Sequence, residues 1–241
     1  KGEKKISAGF FNGMVHSVRD YLCELSSGHI QIMHPQFEDL YNPEYAIENS
    51  DQVIKHLQKQ PYVTDISVKS IASGLAQSTR SNFGVTINGI NSQKDTTFAI
   101  SQYIIEGQML QSDDRNAILI GNKLADRLGL DLKNRIVLSF QDIDGEITGG
   151  AFRVAGIFKT FSSHFNENTV FVRRDDLNRL QGMENAIHNI RIDTDNMTKV
   201  ESYGDTLRAT FPSLEIKTWR DLAPDLRYMF DMMDMMLYIV M

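Results

Sequence analysis

The sequence predicts an α+β fold in which both chain ends build one unit and the middle is inserted as a second, mostly β unit. Two observations carry this. Residues 29–72 run strand, helix, strand, and residues 190–216 run strand, helix, strand again. Between these two units lies a stretch dense in short alternating apolar segments. Two interlocked β-α-β units of this kind make a split ferredoxin-like sheet, and whatever lies between them in sequence is an insertion.

The elements follow in order. Phe11, Met14, Val15, Val18, Leu22 and Leu25 recur at helical spacing, so residues 10–25 are expected to form a helix, stopped by Ser26-Ser27-Gly28. His29–Met33 alternates as a strand and Pro35 ends it. Asn49 or Ser50 is expected to cap a helix carrying Val53, Ile54 and Leu57, closed by Pro61. Asp65–Ala72 and Phe83–Ile87 alternate as strands, the second bounded by Asn88-Gly89. Ala117–Ile120 is a short apolar strand that turns at Gly121-Asn122 into a helix to Leu128, with Gly129 as its C-cap. Arg135–Phe140 and Phe152–Phe158 are strands joined by a hairpin whose tip is Asp142–Glu146. Asn168–Val172 is a strand, and Asp175 or Asp176 starts a short helix. Ile190–Ile192, a helix over Lys199–Phe211 and Leu214–Ile216 complete the second unit. Thr218 is expected to cap a last helix that begins with Trp219 and runs into Met235–Met241, apolar to the last residue. Because exposed termini are usually polar, that ending is expected either to pack into a groove or to be the first turns of a membrane-spanning helix. The charged Lys1–Lys5 has no apolar run behind it and is not expected to be a signal peptide.

Composition narrows the function. The chain has 241 residues, 41% of them hydrophobic and 23% charged, enough for real cores. Its net charge of −6 argues against a nucleic-acid partner. A single cysteine, Cys23, permits no internal disulfide and is expected to be a packed thiol.

The usual signatures of chemistry are missing. The six histidines show no metal-ligand spacing. Asp142-Ile143-Asp144-Gly145 resembles a calcium loop only superficially, because the glycine comes too early and Arg153 stands where the bidentate Glu belongs. Gly121 lacks the companions of a phosphate-binding loop. There is no serine elbow. Asp113-Asp114 and Asp175-Asp176 are expected at helix starts or on solvated faces, and the methionines of 229–236 on a helix core or membrane edge. No catalytic, cofactor-binding or metal-binding residue is expected, and the chain is expected not to be an enzyme.

An ordered set of motifs carries a resemblance. Glu106–Leu110 followed by Ala117–Leu130, then Phe152–Phe158, Thr169–Val172 with Asp176-Leu177, and Thr218–Leu226 resemble, in that order, the MacB-like periplasmic core domain of FtsX-like ABC-transporter permeases. Phe11–Met14 resembles the exit from the first membrane helix of that family. The Trp219–Leu226 passage is most similar to the lipoprotein-releasing LolC/LolE type.

The resemblance implies a domain between two membrane helices. Its "porter" part would comprise residues 28–87 and 187–220, with a "sabre" part, residues 88–186, inserted. Residues 1–27 and 221–241 would be membrane-proximal helices. It implies an inner-membrane protein with this domain in the periplasm, a cytoplasmic ABC ATPase, and a second permease copy or paralogue. A lipoprotein, carrier or periplasmic adaptor is a further implied partner. Function would be coupling of ATP hydrolysis to extraction or export of a hydrophobic substrate, without bond chemistry. The alternative is a free-standing periplasmic ligand- or peptide-binding module with a closed apolar pocket where the subdomains meet. In one lipoprotein-releasing subunit a long hairpin hooks the carrier. Here that connection is only Gln141–Ala151. Partner contact is expected at two exposed turns: Asp142, Ile143, Asp144 and Glu146 at the hairpin tip, and Phe161, His164 and Phe165 in an aromatic loop.

Overall fold

The computed structural model describes residues 28–37, 41–91, 99–111 and 115–222. The expectations for residues 1–27, for Cys23 and for 223–241 lie outside them. No helix among the described residues is long and apolar enough to cross a membrane.

The strands are β1 (Ile30–Met33), β2 (Val63–Gln77), β3 (Asn82–Ile90), β4 (Ile104–Gly107), β5 (Ala117–Gly121), β6 (Arg135–Gln141), β7 (Ile147–Phe158), β8 (Thr169–Arg173), β9 (Asn189–Thr194) and β10 (Glu215–Thr218). The helices are α1 (Ser50–Leu57), α2 (Asn122–Leu128), α3 (Ser163–Asn168), α4 (Arg174–Leu180), α5 (Val200–Thr210) and α6 (Trp219–Leu222).

The two chain ends interlock as their alternation predicts. Strands β10, β1, β9 and β2 lie side by side in that order, every pair antiparallel. Period-two spacing sends Ile30, Ile32, Ile190, Ile192 and Ile216 to one face of this sheet. There they meet Val53 and Leu57 of α1, Val200 and Leu207 of α5, and Trp219. Each aliphatic side chain so buried contributes roughly 1.5–3 kcal/mol. Helix α1 starts without the expected cap: Asn49 is left-handed (φ 50°) and its side chain makes no capping bond. At α6, Thr218 does sit at the cap. Its N–H and hydroxyl both donate to Asp221 Oδ2, three residues on, half of a capping box.

The inserted part closes on itself. Strand β2 is longer than its alternating core because it serves two sheets. Val63–Lys69 pairs with β9, Ser70–Gln77 with β3, and Gly74–Gln77 also with β6. From β3 the ladder passes to β8, β5, β7 and β6, and β6 returns it to β2. A closed six-stranded ring has no unpaired edge. Its interior holds Ala72, Ala76, Val85, Ile87, Ile118, Ile120, Ile136, Leu138, Phe140, Phe152, Val154, Val170 and Val172, with Leu124 and Leu128 of α2 and Leu177 of α4. Outside the ring, Ala117, Leu119, Phe158 and Phe171 pack with Ile90, Ile100 and Leu110. Strand β5 is therefore buried on both faces, which is why Ala117–Ile120 is continuously apolar rather than alternating.

Some local readings need correction. Asn88-Gly89 is not a turn: β3 runs through it, and Gly89 is needed because Arg174 Cα would sit 3.0 Å from any Cβ there. The edge strand β4, the 3₁₀ turn before it (Ala99–Tyr103) and α3 had no periodic signal. Asp176 is neither cap nor solvated face. It is buried and accepts the N–H of Asn116 (3.0 Å), tying α4 to the entry of β5.

Candidate functional site

The hairpin tip is built by its own side chain. Asp142 Oδ1 accepts the N–H of Asp144 (3.0 Å) and of Glu146 (2.9 Å), and Gly145 takes the positive φ (79°) the turn requires. Asp144 and Glu146 are exposed. The tip does not project freely, however. The Ile143 N–H donates to the carbonyl of Gln181 at the end of α4 (3.0 Å). This docks the tip toward the β1–β9–β10 side of the ring, because Phe140 pairs with Gly74, the β6 contact nearest the β9-paired half of β2.

Between the tip and α1 runs a groove of about 770 Å³, lined by Asn49, Asp51, Lys55, Ile143, Glu184 and Asn185 among others. It is open and largely polar. It is not the enclosed apolar pocket that a free-standing ligand-binding module calls for.

The aromatic loop is a different object from the one expected. Phe161 is 85% exposed. Ser162 then caps α3 by accepting the Phe165 N–H (3.2 Å). Phe165 turns inward between the rings of Phe158 (5.9 Å) and Phe171 (6.1 Å). Phe165 is thus half-buried rather than fully exposed, since the helix of Ser163–Asn168 rotates it onto the outer cluster. His164 stays exposed against Asn168 (3.0 Å). The two predicted contact regions do not converge: the tip precedes β7 and Phe161 follows it, and the 12-residue strand separates them by roughly 35 Å.

The junction of the two sheets has a buried polar contact with no motif to announce it. His188 is wholly buried. Its Nδ1 accepts the N–H of Ile71 (3.0 Å), where β2 passes from one sheet to the other, and its Nε2–H donates to the carbonyl of Pro43 (3.1 Å). Phe37 stacks on the ring at 4.7 Å. Desolvation by burial pushes its pKa down to about 4, against the pull of the Pro43 bond. The imidazole is thus a neutral strut at neutral pH. Around it, Ser70 Oγ donates to the carbonyl of Ala186 (2.6 Å) and the Ile47 N–H to that of Ile187 (2.8 Å).

This architecture has counterparts among known proteins. The family model of the MacB-like periplasmic core domain matches residues 6–210. The chain belongs to this family. Its structure is similar to that of the periplasmic region of MacB from Actinobacillus actinomycetemcomitans, at 16% identity and a TM-score of 0.55, covering 86% of this chain and 95% of that one. It is also similar to the extracellular domain of the ABC-type transporter YknZ from Gram-positive bacteria, at 18% identity and a TM-score of 0.52, covering 78% of this chain and 99% of that one. At such identities the likeness speaks for the fold. No curated protein sequence matches the chain. The MacB-like domain is thus an extracytoplasmic domain of a MacB/FtsX-like ABC-transporter permease.

Proposed function

We propose that this domain transmits the ATPase cycle of a cytoplasmic partner to a hydrophobic substrate on the far side of the inner membrane, and that it does so by moving and not by bond chemistry. Membership of the MacB-like family carries the reading. The architecture supports it: two separately cored bodies share one long strand, β2, and meet at the His188 pivot. Ile66 and Val68 of β2 pack with the chain-end core, while Ala72 and Ala76 pack in the ring. In this reading the porter-like part, expected from the sequence as residues 28–87 and 187–220, is drawn instead as 28–70 and 187–220, and the sabre-like part holds the ring. Strand β3, with Val85 and Ile87, goes with the ring. A two-state coupling element needs two bodies joined by a short connection, and two separate cores joined through β2 support that reading.

The assembly is read as a second permease copy or paralogue with a cytoplasmic ABC ATPase. Lipoprotein release and efflux are the two substrate classes. The short hairpin, pinned at Ile143 to Gln181, favours a subunit that does not itself hook a carrier.

The native reading frame tests the assembly. It is expected to encode membrane spans on both sides of this chain and to neighbour an ATPase gene. A frame without flanking spans ends the transporter reading. The coupling is tested with the full-length permease and its ATPase in proteoliposomes. Stiffened or disrupted pivot variants at His188 should keep ATP hydrolysis while losing substrate extraction. Equal loss of both would mean that the pivot only supports folding.

A further inference from the structure

Five arginines among the described residues have a carboxylate at hand: Arg127 has Glu167, Arg173 has Asp175, Arg179 has Asp176, Arg191 has Asp193, and Arg208 has Asp205 and Asp221. Arg135 and Arg153 are not among them. They stand directly opposite each other in the β6–β7 ladder, both exposed, and neither is ion-paired among the described residues. Like charges directly opposite on an antiparallel pair disfavour the pairing. More positive charge lies beside them. The Lys133 N–H donates to the carbonyl of Val154, and the carbonyl of Asn116, next to Arg115, accepts the Arg153 N–H. In a chain of net charge −6 this is a local reversal of sign.

The face that begins with these guanidiniums continues without charge. The register places Val137 between Gln77 and Ala151, and Leu75 between Ser139 and Gly84, with Gly149 and Ile147 beyond. Leu75 is 45% exposed, Val137 41% and Ile147 82%. The opposite wall of the ring is covered by the Ile100–Phe171 cluster, whereas this wall is bare among the described residues. Its basic end is remote from the β1–β9–β10 sheet. Val63–Lys69 of β2 pairs with β9, Gln77 pairs with Val137, and Arg135 lies beyond that pair.

We propose that the outer β2–β6–β7 wall is a docking surface for a protein partner that presents carboxylates beside apolar side chains. Arg135 and Arg153 take the carboxylates, and Leu75 and Val137 take the apolar groups. A paired guanidinium suits planar carboxylates, and the uncharged field beside it suits a desolvated contact. The choice of a protein over a lipid surface rests on the transporter reading, in which both chain ends lead to the membrane and the basic end points away from it.

The test uses the 241-residue chain and a rhodamine-labelled peptide alternating Glu with Leu, read by anisotropy. Binding is expected to weaken with added salt. It should fall about tenfold or more in Arg135→Glu/Arg153→Glu and in Leu75→Ser/Val137→Ser. It should be unchanged in Asp144→Asn/Glu146→Gln. The single variant Arg153→Glu sets opposite charges face to face, so its unfolding temperature should match or exceed the parent's, which separates docking from folding. Equal affinity in parent and double variant overturns the proposal. So does binding to phosphatidylglycerol vesicles but not to the peptide, or self-association of the chain that Arg135→Glu/Arg153→Glu abolishes. None of these outcomes bears on the flanking membrane spans, so the docking surface and the transporter reading can fail separately.

Discussion

Replacing His188 by Gln should change how the domain responds to acid. In the folded chain His188 has its pKa held down to about 4 by burial, against 6.5 for a free side chain. Between these two values the unfolded chain binds a proton that the folded chain refuses, so stability falls as pH falls through this window. Above it the group has no effect, and below about pH 4 both states are protonated and the slope from this group vanishes. Linkage gives a loss of about 2 kcal/mol at about pH 5, rising to about 3 kcal/mol at lower pH. Urea unfolding, followed by the single tryptophan Trp219, should give that difference between about pH 7.5 and about pH 5 for the parent. His188→Gln should be less stable at neutral pH, because the Ile71 N–H and the Pro43 carbonyl lose a fitted partner, at about 1–3 kcal/mol. Its acid loss should be smaller by about 2 kcal/mol. Parallel pH profiles for the two proteins would refute the neutral-strut reasoning.

Other predictions concern the ring. Gly121→Ala places a Cβ about 2.0 Å from the carbonyl oxygen of Asn166, so the backbone must shift, and a drop of about 3 kcal/mol or more in unfolding free energy is expected. Gly84→Ala meets nothing within 4 Å on the exposed wall and should be neutral or stabilising by about 0.5 kcal/mol in the same denaturation assay. Asp176→Ala strands the Asn116 N–H and should cost about 2 kcal/mol. Asp142→Ala removes two turn bonds in a solvated setting and should cost about 1 kcal/mol or less, with faster amide exchange at Asp144 and Glu146.

The parts of the fold that were legible in the sequence share one property: their side chains alternate between a core and something else. Ile30–Met33, Ile190–Ile192 and Ile216 alternate because one face of their sheet packs on helices. Arg135–Phe140 alternates because one face of the ring is core and the other is open. Where both faces are buried, as in β5, length and flanking glycine had to replace periodicity. The 3₁₀ turn, β4 and α3 were not legible, since they are short and take their order from packing against the outer cluster. The candidate site fared less well. The tip was placed as a turn, but its attachment to Gln181 depends on a backbone bond between residues far apart in sequence. How far Phe165 is covered depends on which way a six-residue helix rotates, and here it is half-buried.

The sequence alone determined the split α+β plan, the two β-α-β units and the family to which their ordered motifs belong. Those properties rest on local periodicity and on short strings of residues, both of which survive in one dimension. Closure of the six strands, the buried hydrogen bonds of His188 and the facing of Arg135 with Arg153 were decided only by tertiary structure. Each needs a ladder register or a contact between distant segments, and no property of the residues taken in order fixes which β6 residue stands opposite which β7 residue once the hairpin has closed.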